Sequence, residues 1–339
     1  MRFASPLIHV PLYCARDFSD FGVRCLIELH LACLESYFAQ QNTYDLLVTT
    51  NDPRPLEVLS AYKDKSRHRF ELRMVSPGDL LSTFRTDESR LQDSLCVTTI
   101  FSKFFPILNQ ERAAIVHVDF DTMFMSKIDL SPLLVSDVGL VDANQFKCNA
   151  GLWRPTVEQA RFFRIAQPAR PVSRWVNSGV FSVQRRGFEI CRTEIVHYLE
   201  NLELAIADGL HTFTDEIIMN ALAVRERSAV TVIPDYRYNF LAYYLDRDPS
   251  WKWRGQIVHF HSLKPYDFYF DGVVKHRGDA EQAKLITPEF YLALLMWCRH
   301  LHHACRHLSY DFPMIAAMPL EVVENELARL SAWLCPEVR

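Results

Sequence analysis

Short apolar runs alternate with longer segments in which apolar residues recur every three or four positions through the first half of the chain. The short runs predict strands at 7–13 (LIHVPLY), 44–50 (YDLLVTT), 69–75 (RFELRMV) and 113–119 (AAIVHVD). The longer segments predict helices at 23–39 and 98–108. This alternation is typical of βαβ units, so the sequence predicts an α/β fold with a mostly parallel, Rossmann-like sheet flanked by helices.

The second half of the chain changes character towards its end. Further strands are predicted at 138–144, 174–184, 229–235 and 255–262, and further helices at 186–203 and 215–226. From about Thr287 only helical patterns remain, at 288–308 and 319–334. We therefore predict one domain over residues 1–285 and a C-terminal helical extension over residues 286–339.

Composition and charge exclude some classes of protein. The chain has 339 residues, of which 49% are hydrophobic and 23% charged, an ordinary globular composition. Its net charge of −4 does not indicate nucleic acid as a partner. The nine cysteines form no Cys-x-x-Cys pair, and no apolar run reaches the length of a membrane-spanning helix. Pro6 and Pro11 would interrupt the apolar region of a secretory signal, so none is expected. These features predict a cytoplasmic protein in a reducing compartment.

Two carboxylates one residue apart end the fourth apolar run. Alternate residues of a strand share a face, so Asp119 and Asp121 are expected to point the same way. Each would then raise the pKa of the other unless a cation lies between them, and a divalent metal ion accepts carboxylate oxygens as ligands. For an isolated Asp-x-Asp triplet, a solvated loop is the simpler interpretation, so the surrounding segments must decide.

Four segments in this order resemble the GT-A glycosyltransferases of the glycogenin and bacterial lipopolysaccharide galactosyltransferase type. The resemblance extends from the first strand to about Asp271 and leaves out the C-terminal helices. The segments are SKFFPIL…AAIVHVDFDTMF (102–124), VNSGVFSVQ (176–184), TDEIIMNAL (214–222) and IVHFHSLKPYD (257–267).

The resemblance implies a divalent metal ion, Mn²⁺ or Mg²⁺, which bridges the diphosphate of a nucleotide sugar. Asp119 and Asp121 match the Asp-x-Asp of the family, and Lys264 resembles the lysine that binds the diphosphate. His259 is in the position of the third metal ligand. The spacing to the lysine departs from the family pattern, which leaves His261 as the alternative ligand.

Other residues are implied to contact the donor. Lys103 takes the place of a basic residue that contacts the nucleotide sugar, although a solvated helix position is as good an interpretation. The nucleobase is expected beside the end of the first strand, at Pro11, Leu12 and Tyr13. Thr50 and Asn51 end the second strand and are candidates for contact with the ribose or base.

The sugar pocket of the family is expected at two further segments. Asn177, with Ser178 and Gly179, matches the Asn-Ser-Gly strand start close to the transferred sugar. Asp215 and Glu216 are predicted in the first turn of a helix capped by Thr214, where the helix dipole stabilises carboxylates. Functionally, Asp215 would hold sugar hydroxyls and Glu216 would face the anomeric carbon, where the family usually carries glutamine. Asp142 and Asn144 are further candidates for this pocket.

These inferences predict a retaining, metal-dependent hexosyltransferase that uses a UDP-sugar and an unknown glycan, lipid or protein acceptor. A sugar-phosphate nucleotidyltransferase is an alternative, but PLYCARDFSDFG (11–22) lacks the Gly-rich basic loop which that class favours. A non-catalytic nucleotide-sugar-binding protein is the other alternative. The histidines 302, 303 and 307 lie on a helical segment with metal-compatible spacing, but an ordinary solvated or interface face is the better interpretation.

Overall fold

A computed structural model describes most of the chain and supplies the bounds of its elements. The described residues are 5–14, 18–76, 79, 103–109, 112–142, 152–153, 155–165, 173–174, 176–210, 214–234, 236–242, 257–261, 264–265, 288–306 and 308–334. The strands are β1 (Leu7–Leu12), β2 (Asp45–Thr50), β3 (Glu71–Met74), β4 (Ala114–Val118), β5 (Thr122–Phe124), β6 (Val138–Asp142), β7 (Leu152–Trp153), β8 (Ser173–Arg174), β9 (Val176–Gln184), β10 (Val230–Ile233), β11 (Phe240–Leu241) and β12 (Ile257–His259). The α-helices are α1 (Asp20–Ala39), α2 (Pro53–Ser66), α3 (Val157–Phe162), α4 (Gly187–Glu200), α5 (Leu202–Ala207), α6 (Thr214–Arg225), α7 (Pro288–Cys305), α8 (Pro313–Ala317) and α9 (Leu320–Leu334).

Residues 103–108 are helical as well. Among the helices that the structure describes, none combines the length and apolar character needed to cross a membrane.

A central sheet of seven strands has the order β10-β6-β9-β4-β1-β2-β3. The pairs β1/β2, β1/β4, β2/β3 and β10/β6 are parallel, whereas β9 runs antiparallel to both β4 and β6. Helices cover the sheet, and the C-terminal segment is helical where it is described. The predicted α/β architecture, a mostly parallel sheet with flanking helices and C-terminal helices, is therefore confirmed.

Each face of the central sheet packs against its own apolar layer. β1 is buried along its whole length, and its Val10 side chain belongs to the layer formed with α1 and α7. Phe181 of β9 belongs to the opposite layer, formed with α4, α6 and the helical residues 103–108. A strand covered on both faces reads as a continuous apolar run, which is why the sequence pattern identified these strands.

Helix α1 lies between β5 and the C-terminal helices. Its N-terminus is capped by Ser19, whose Oγ accepts a hydrogen bond from the Gly22 backbone N–H at 3.1 Å. Ser36 Oγ accepts a hydrogen bond from the Phe124 N–H at 3.0 Å, which ties α1 to β5. On its other side α1 shares an apolar layer with Trp297 of α7.

A second, three-stranded sheet has the order β11-β12-β5. β12, which lies within the strand predicted at 255–262, runs antiparallel to β5 with His259 opposite Thr122. The Phe260 N–H donates to the Asp121 carbonyl at 2.9 Å and extends this pairing by one residue. This small sheet therefore carries the predicted histidine segment to the end of β4.

Candidate functional site

The two carboxylates lie in the connection between β4 and β5 rather than on a continuing strand. β4 ends at Val118, and the Asp119 N–H still donates to the Gly179 carbonyl of β9 at 2.8 Å. The chain then turns, so the expected alternation of a strand does not account for the direction of Asp121. Because the Asp121 side chain is only 5% exposed, the solvated-loop interpretation does not hold for it.

The structure brings His259 to both carboxylates. Its Nε2 lies 3.2 Å from Asp121 Oδ1 and 3.6 Å from Asp119 Oδ2. One ligand atom from each of the three residues falls within 4.8 Å of the others, a group that could hold a metal ion. Burial lowers the pKa of His259 to about 4, so the ring is neutral near pH 7 and its nitrogen is available as a ligand.

Lys103 is buried beside Asp119 and does not face solvent. Its Nζ lies 3.0 Å from Asp119 Oδ2 and 2.6 Å from Asp215 Oδ2. The same nitrogen donates to Ser178 Oγ at 3.1 Å, and Ser178 Oγ donates in turn to Asp215. Burial disfavours the charge of Lys103, but Asp119 and Asp215 outweigh it and raise the pKa of the ammonium group. Lys103 thus joins the Asp-x-Asp segment to the first turn of α6.

Lys264 neutralises the other carboxylate of the pair. Its Nζ contacts Asp121 Oδ2 and donates to the backbone carbonyls of Phe260 at 2.8 Å and His261 at 2.9 Å. His261 lies beside the metal-compatible group, with its ring centroid 5.4 Å from that of His259 and perpendicular to it. Burial, followed by the neighbouring His259, lowers the pKa of His261 to about 4.

The two lysines change the electrostatic expectation for the carboxylates. Burial alone would raise the pKa of Asp119, but Lys103, His117 and His259 hold it well below its usual range. Burial of Asp215 is outweighed in the same way, by Lys103 and by the Ser178 hydroxyl, so its pKa is lowered. The cations that separate the like charges here are therefore side chains of the protein.

Glu216 differs from its neighbour because it has no cationic partner among the described contacts. Its Oε1 accepts a hydrogen bond from Asn177 Nδ2 at 2.7 Å. Burial, and then the charge of Asp215, raise the pKa of Glu216 to about 7. Two adjacent carboxyl groups of α6 thus have environments that push their pKa values apart, a pattern typical of catalytic sites.

The raised pKa of Glu216 predicts a dependence of stability on pH. The folded chain holds this proton up to a pKa of about 7, whereas an unfolded glutamate releases it near its ordinary pKa of 4.5. The free energy of unfolding should therefore fall as the pH rises between these values. Glu216→Gln should make the free energy of unfolding less dependent on pH in this range. Urea unfolding of wild type and Glu216→Gln at several pH values, in a chelating buffer, measures the effect. An unchanged profile would contradict the raised pKa.

Gly179 is required by the close approach of the His259 ring. A Cβ at this position would lie 2.3 Å from both Cε1 and Nδ1 of His259, and 2.8 Å from Asn177 Oδ1. The structure places the imidazole of His259 directly beside this glycine. No side chain fits between β9 and β12 at this point.

We expect Gly179→Ala to displace His259 and to weaken Mn²⁺ binding by about 10-fold or more, because a buried ring cannot shift without losing its partners. Gly22→Ala is the matched control, since its new Cβ would meet Ser19 Oγ at an ordinary 3.4 Å. Calorimetric titration of both variants with Mn²⁺ measures the effect. Equal affinity in the two variants would show that His259 is not held by this contact.

The residues predicted to contact the nucleobase and ribose lie at the ends of β1 and β2. Pro11 is buried in β1 opposite Thr49, and Tyr13 is half-buried against the apolar layer of α4 and α6. Thr50 is buried, and its Oγ1 accepts from the Asp52 N–H at 3.3 Å. The amide of Asn51 binds the backbone of Cys14 through both of its polar atoms, at 2.8 and 3.0 Å. Asn51 therefore joins the ends of the two strands.

Three site residues were missed in the sequence. His117 donates from Nε2 to Asp119 Oδ1 at 2.8 Å, and its position two residues before Asp119 on the same strand was a usable signal. Asn239 contacts His259 Nδ1 at 3.0 Å. Asn220 exchanges two hydrogen bonds of 3.0 Å with the backbone of Val176 and so fixes α6 against β9. No sequence pattern pointed to either asparagine.

The remaining candidates lie farther from this centre or outside the described residues. Asp142 is buried at the end of β6 opposite Val176. Asn144 and His307 fall outside the described residues. His302 binds the Met318 carbonyl through Nε2 at 2.7 Å, so it joins α7 to the segment before α9. Thr214 is the first described residue of α6.

The three candidate ligands, Asp119, Asp121 and His259, have the chemistry that a divalent cation requires. Two carboxylates from the β4–β5 connection and a neutral imidazole from β12 converge, and hard to intermediate divalent ions such as Mn²⁺ accept this mixture of oxygen and nitrogen ligands. Three carboxyl groups, of Asp119, Asp121 and Asp215, meet only two ammonium groups within the described contacts. The excess of negative charge in a buried place favours an added cation.

No protein-family profile and no curated protein matches the sequence. Among solved structures, the chain is similar to galactosyltransferase LgtC in complex with donor and acceptor sugar analogs. This similarity covers 92% of this chain and 99% of that one, at 13% identity and a TM-score of 0.48. Mouse xyloside xylosyltransferase 1 in its apo form is similar over 76% of this chain and 97% of its own, at 13% identity and a TM-score of 0.49.

The bifunctional glycosyltransferase WbbM is similar over 78% of this chain and 47% of its own, at 15% identity and a TM-score of 0.47. The resemblance to glycosyltransferases that the four segments predict is thus found again among solved structures.

Proposed function

We propose that the chain is a glycosyltransferase that moves a sugar from a nucleotide diphosphate donor, with UDP as the nucleotide, to an acceptor. The observation that carries the proposal is the convergence of Asp119, Asp121 and His259 into one group that could hold a divalent cation. Mn²⁺ is the ion we propose, with Mg²⁺ as the alternative. A glycan, lipid or protein acceptor is compatible with this chemistry.

A divalent ion at this group would stabilise the charge that develops on the departing diphosphate. Lys264 lies next to Asp121, and in this proposal its ammonium group turns towards a phosphate oxygen, for which lysine is a suitable point charge. Lys103 holds Asp119 and Asp215 in fixed positions through its two ion pairs. The lysines therefore organise the diphosphate side of the proposed site.

The sugar side of the proposed site is formed by α6 and the start of β9. Asp215, kept ionised by Lys103, would accept hydrogen bonds from sugar hydroxyls. Glu216 is oriented by Asn177 and would face the anomeric carbon. We propose transfer with retention of configuration, in which the acceptor enters on the side of the leaving group and Glu216 stabilises positive charge on the sugar.

The experiment that tests the function is a panel of UDP- and GDP-sugars incubated with the purified protein and Mn²⁺. Release of the nucleoside diphosphate from one or a few UDP-sugars, abolished by a chelator and restored by Mn²⁺, is the expected result. A sugar-phosphate nucleotidyltransferase would instead form a nucleotide sugar and pyrophosphate from a nucleoside triphosphate and a sugar 1-phosphate, so pyrophosphate is measured in a parallel incubation with these two substrates. Binding of UDP without turnover of any donor would favour a non-catalytic binding protein.

The proposed domain organisation is 1–285 for the transferase domain and 286–339 for the helical extension. The extension does not contribute ligands to the cation group among the described residues. Its helix α7 packs in the same apolar layer as α1 and β1. We propose that it supports the transferase domain and takes no direct part in the chemistry.

A further inference from the structure

A chain of hydrogen bonds runs from the backbone of β9 to the ring of His259. Gly179 N–H donates to Asn177 Oδ1 at 2.9 Å, and Asn239 Nδ2 donates to the same oxygen, also at 2.9 Å. Asn239 Oδ1 lies 3.0 Å from His259 Nδ1. All of these groups are buried, so each polar atom depends on its protein partner.

The orientation of each amide follows from the first donor. A backbone N–H can only donate, so the Asn177 atom that faces Gly179 must be its oxygen. The other polar atom of Asn177 is then the NH₂ group, which donates to Glu216 at 2.7 Å. Because Asn177 Oδ1 needs donors, Asn239 turns its NH₂ group towards it and its own oxygen towards His259.

An amide oxygen accepts hydrogen bonds and cannot donate them, so the imidazole atom that faces it must carry a proton. That atom is Nδ1 of His259. In the neutral ring, Nε2 then holds a lone pair, and it points at Asp121 Oδ1 and Asp119 Oδ2. A lone pair and two carboxylate oxygens have no proton among them, and a cation bound by all three relieves this arrangement.

We propose that Asn239 is the positioning residue of the cation site, which keeps a proton on Nδ1 of His259 and thereby presents Nε2 as the ligand. The inference rests on the proposed function insofar as the cation is concerned. In this proposal Asn239 does not act directly on the carboxylates or on the substrate. Its oxygen acts through the imidazole ring.

Two substitutions of Asn239 separate this role from simple packing. Asn239→Leu and Asn239→Asp are close to asparagine in size, and both lose the donor to Asn177 Oδ1. Only aspartate keeps an oxygen that accepts from Nδ1 of His259. We expect Mn²⁺ affinity, measured by calorimetry, to fall about 10- to 100-fold in Asn239→Leu and to stay near wild type or above in Asn239→Asp.

The negative charge of aspartate could itself raise the Mn²⁺ affinity. The position of the proton on the His259 imidazole is therefore measured directly. Protein labelled with ¹⁵N-histidine is examined by long-range ¹H–¹⁵N NMR without metal, and the His259 signals are assigned by their loss in His259→Gln. A proton on Nδ1 is expected in wild type and in Asn239→Asp, and a bare Nδ1 in Asn239→Leu. Circular dichroism at increasing temperature confirms that each variant is folded.

A bare Nδ1 in the wild-type protein would overturn the proposal, as would an equal loss of Mn²⁺ affinity in the two variants. Failure of the proposed function gives a different result. If wild type binds no Mn²⁺ and hydrolyses no donor, the cation site is refuted, while the ring proton still decides whether Asn239 sets the tautomer. The two failures are therefore distinguishable.

Discussion

Replacement of Asp121 by asparagine is expected to lower donor hydrolysis by more than the roughly 10- to 100-fold that is typical when an outer-shell partner of a metal is lost. The substitution removes one of the two negative charges that face His259 Nε2, and a neutral amide oxygen is a weaker ligand for a divalent ion. Release of UDP is measured over a range of Mn²⁺ concentrations for wild type and Asp121→Asn.

The folded state of Asp121→Asn must be checked because Lys264 loses its buried counter-charge. Melting temperatures with and without Mn²⁺ serve this purpose. The ion should raise the melting temperature of wild type, since a ligand that binds only the folded state stabilises it, and should have little effect on the variant. Asp64→Asn on the exposed surface of α2 is the matched control. Full activity of wild type in excess chelator would refute the metal-dependent reaction.

A second large effect is expected at the first turn of α6, where adjacent carboxyl groups should respond differently. Asp215→Ala should lose nearly all sugar transfer, because Asp215 is held by Lys103 and Ser178 in the position proposed for binding sugar hydroxyls. Glu216→Gln should retain measurable transfer, because an amide oxygen can still stabilise positive charge on the sugar. Initial rates of transfer from the donor identified in the panel measure both effects.

Asp215→Asn, which preserves volume and the contact with Ser178, shows whether a loss in Asp215→Ala reflects misfolding. The anomeric configuration of the first-formed product, read by proton NMR, should match the donor in wild type and in Glu216→Gln. An inverted product would refute the proposed stereochemistry. Complete inactivity of a folded Glu216→Gln that still binds UDP would instead indicate that Glu216 attacks the sugar as a nucleophile.

The strands and helices of the central layers could be predicted because burial leaves a direct mark on the sequence. β1, β2 and β4 are covered on both faces and read as unbroken apolar runs. Helix α1 was predicted from residue 23 and begins at Asp20, because the Ser19 cap lies before the first apolar residues. The antiparallel direction of β9 was not predictable, since it depends on pairing with β4 and β6 rather than on any local pattern.

The candidate site was also predictable only in part from the sequence. The sequence named Asp119, Asp121 and His259, and the structure brings these three together. It could not show that Lys103 is buried between Asp119 and Asp215, because the helical segment and α6 meet only through the tertiary fold. Asn239 was also beyond reach, since a lone asparagine before a two-residue strand carries no periodic signal. Both Lys103 and Asn239 reach the site through contacts between segments that are far apart in the sequence.

The position of α1 has a consequence for any shortened form of this protein. One side of the helix holds β5 through Ser36 and the Cys33 thiol, which lies 3.3 Å from Thr122 Oγ1, while Thr122 Oγ1 donates to the Asp119 carbonyl at 2.8 Å. The other side packs against α7, and Glu28 accepts from the Met314 N–H of α8 at 2.8 Å. Cutting the chain near residue 285 would expose to water the face of α1 that packs against α7 and α8. The turn that carries Asp119 and Asp121 would then be supported by a helix with one exposed apolar face. We therefore expect a chain that ends near residue 285 to be less stable and to hold the turn that carries Asp119 less firmly.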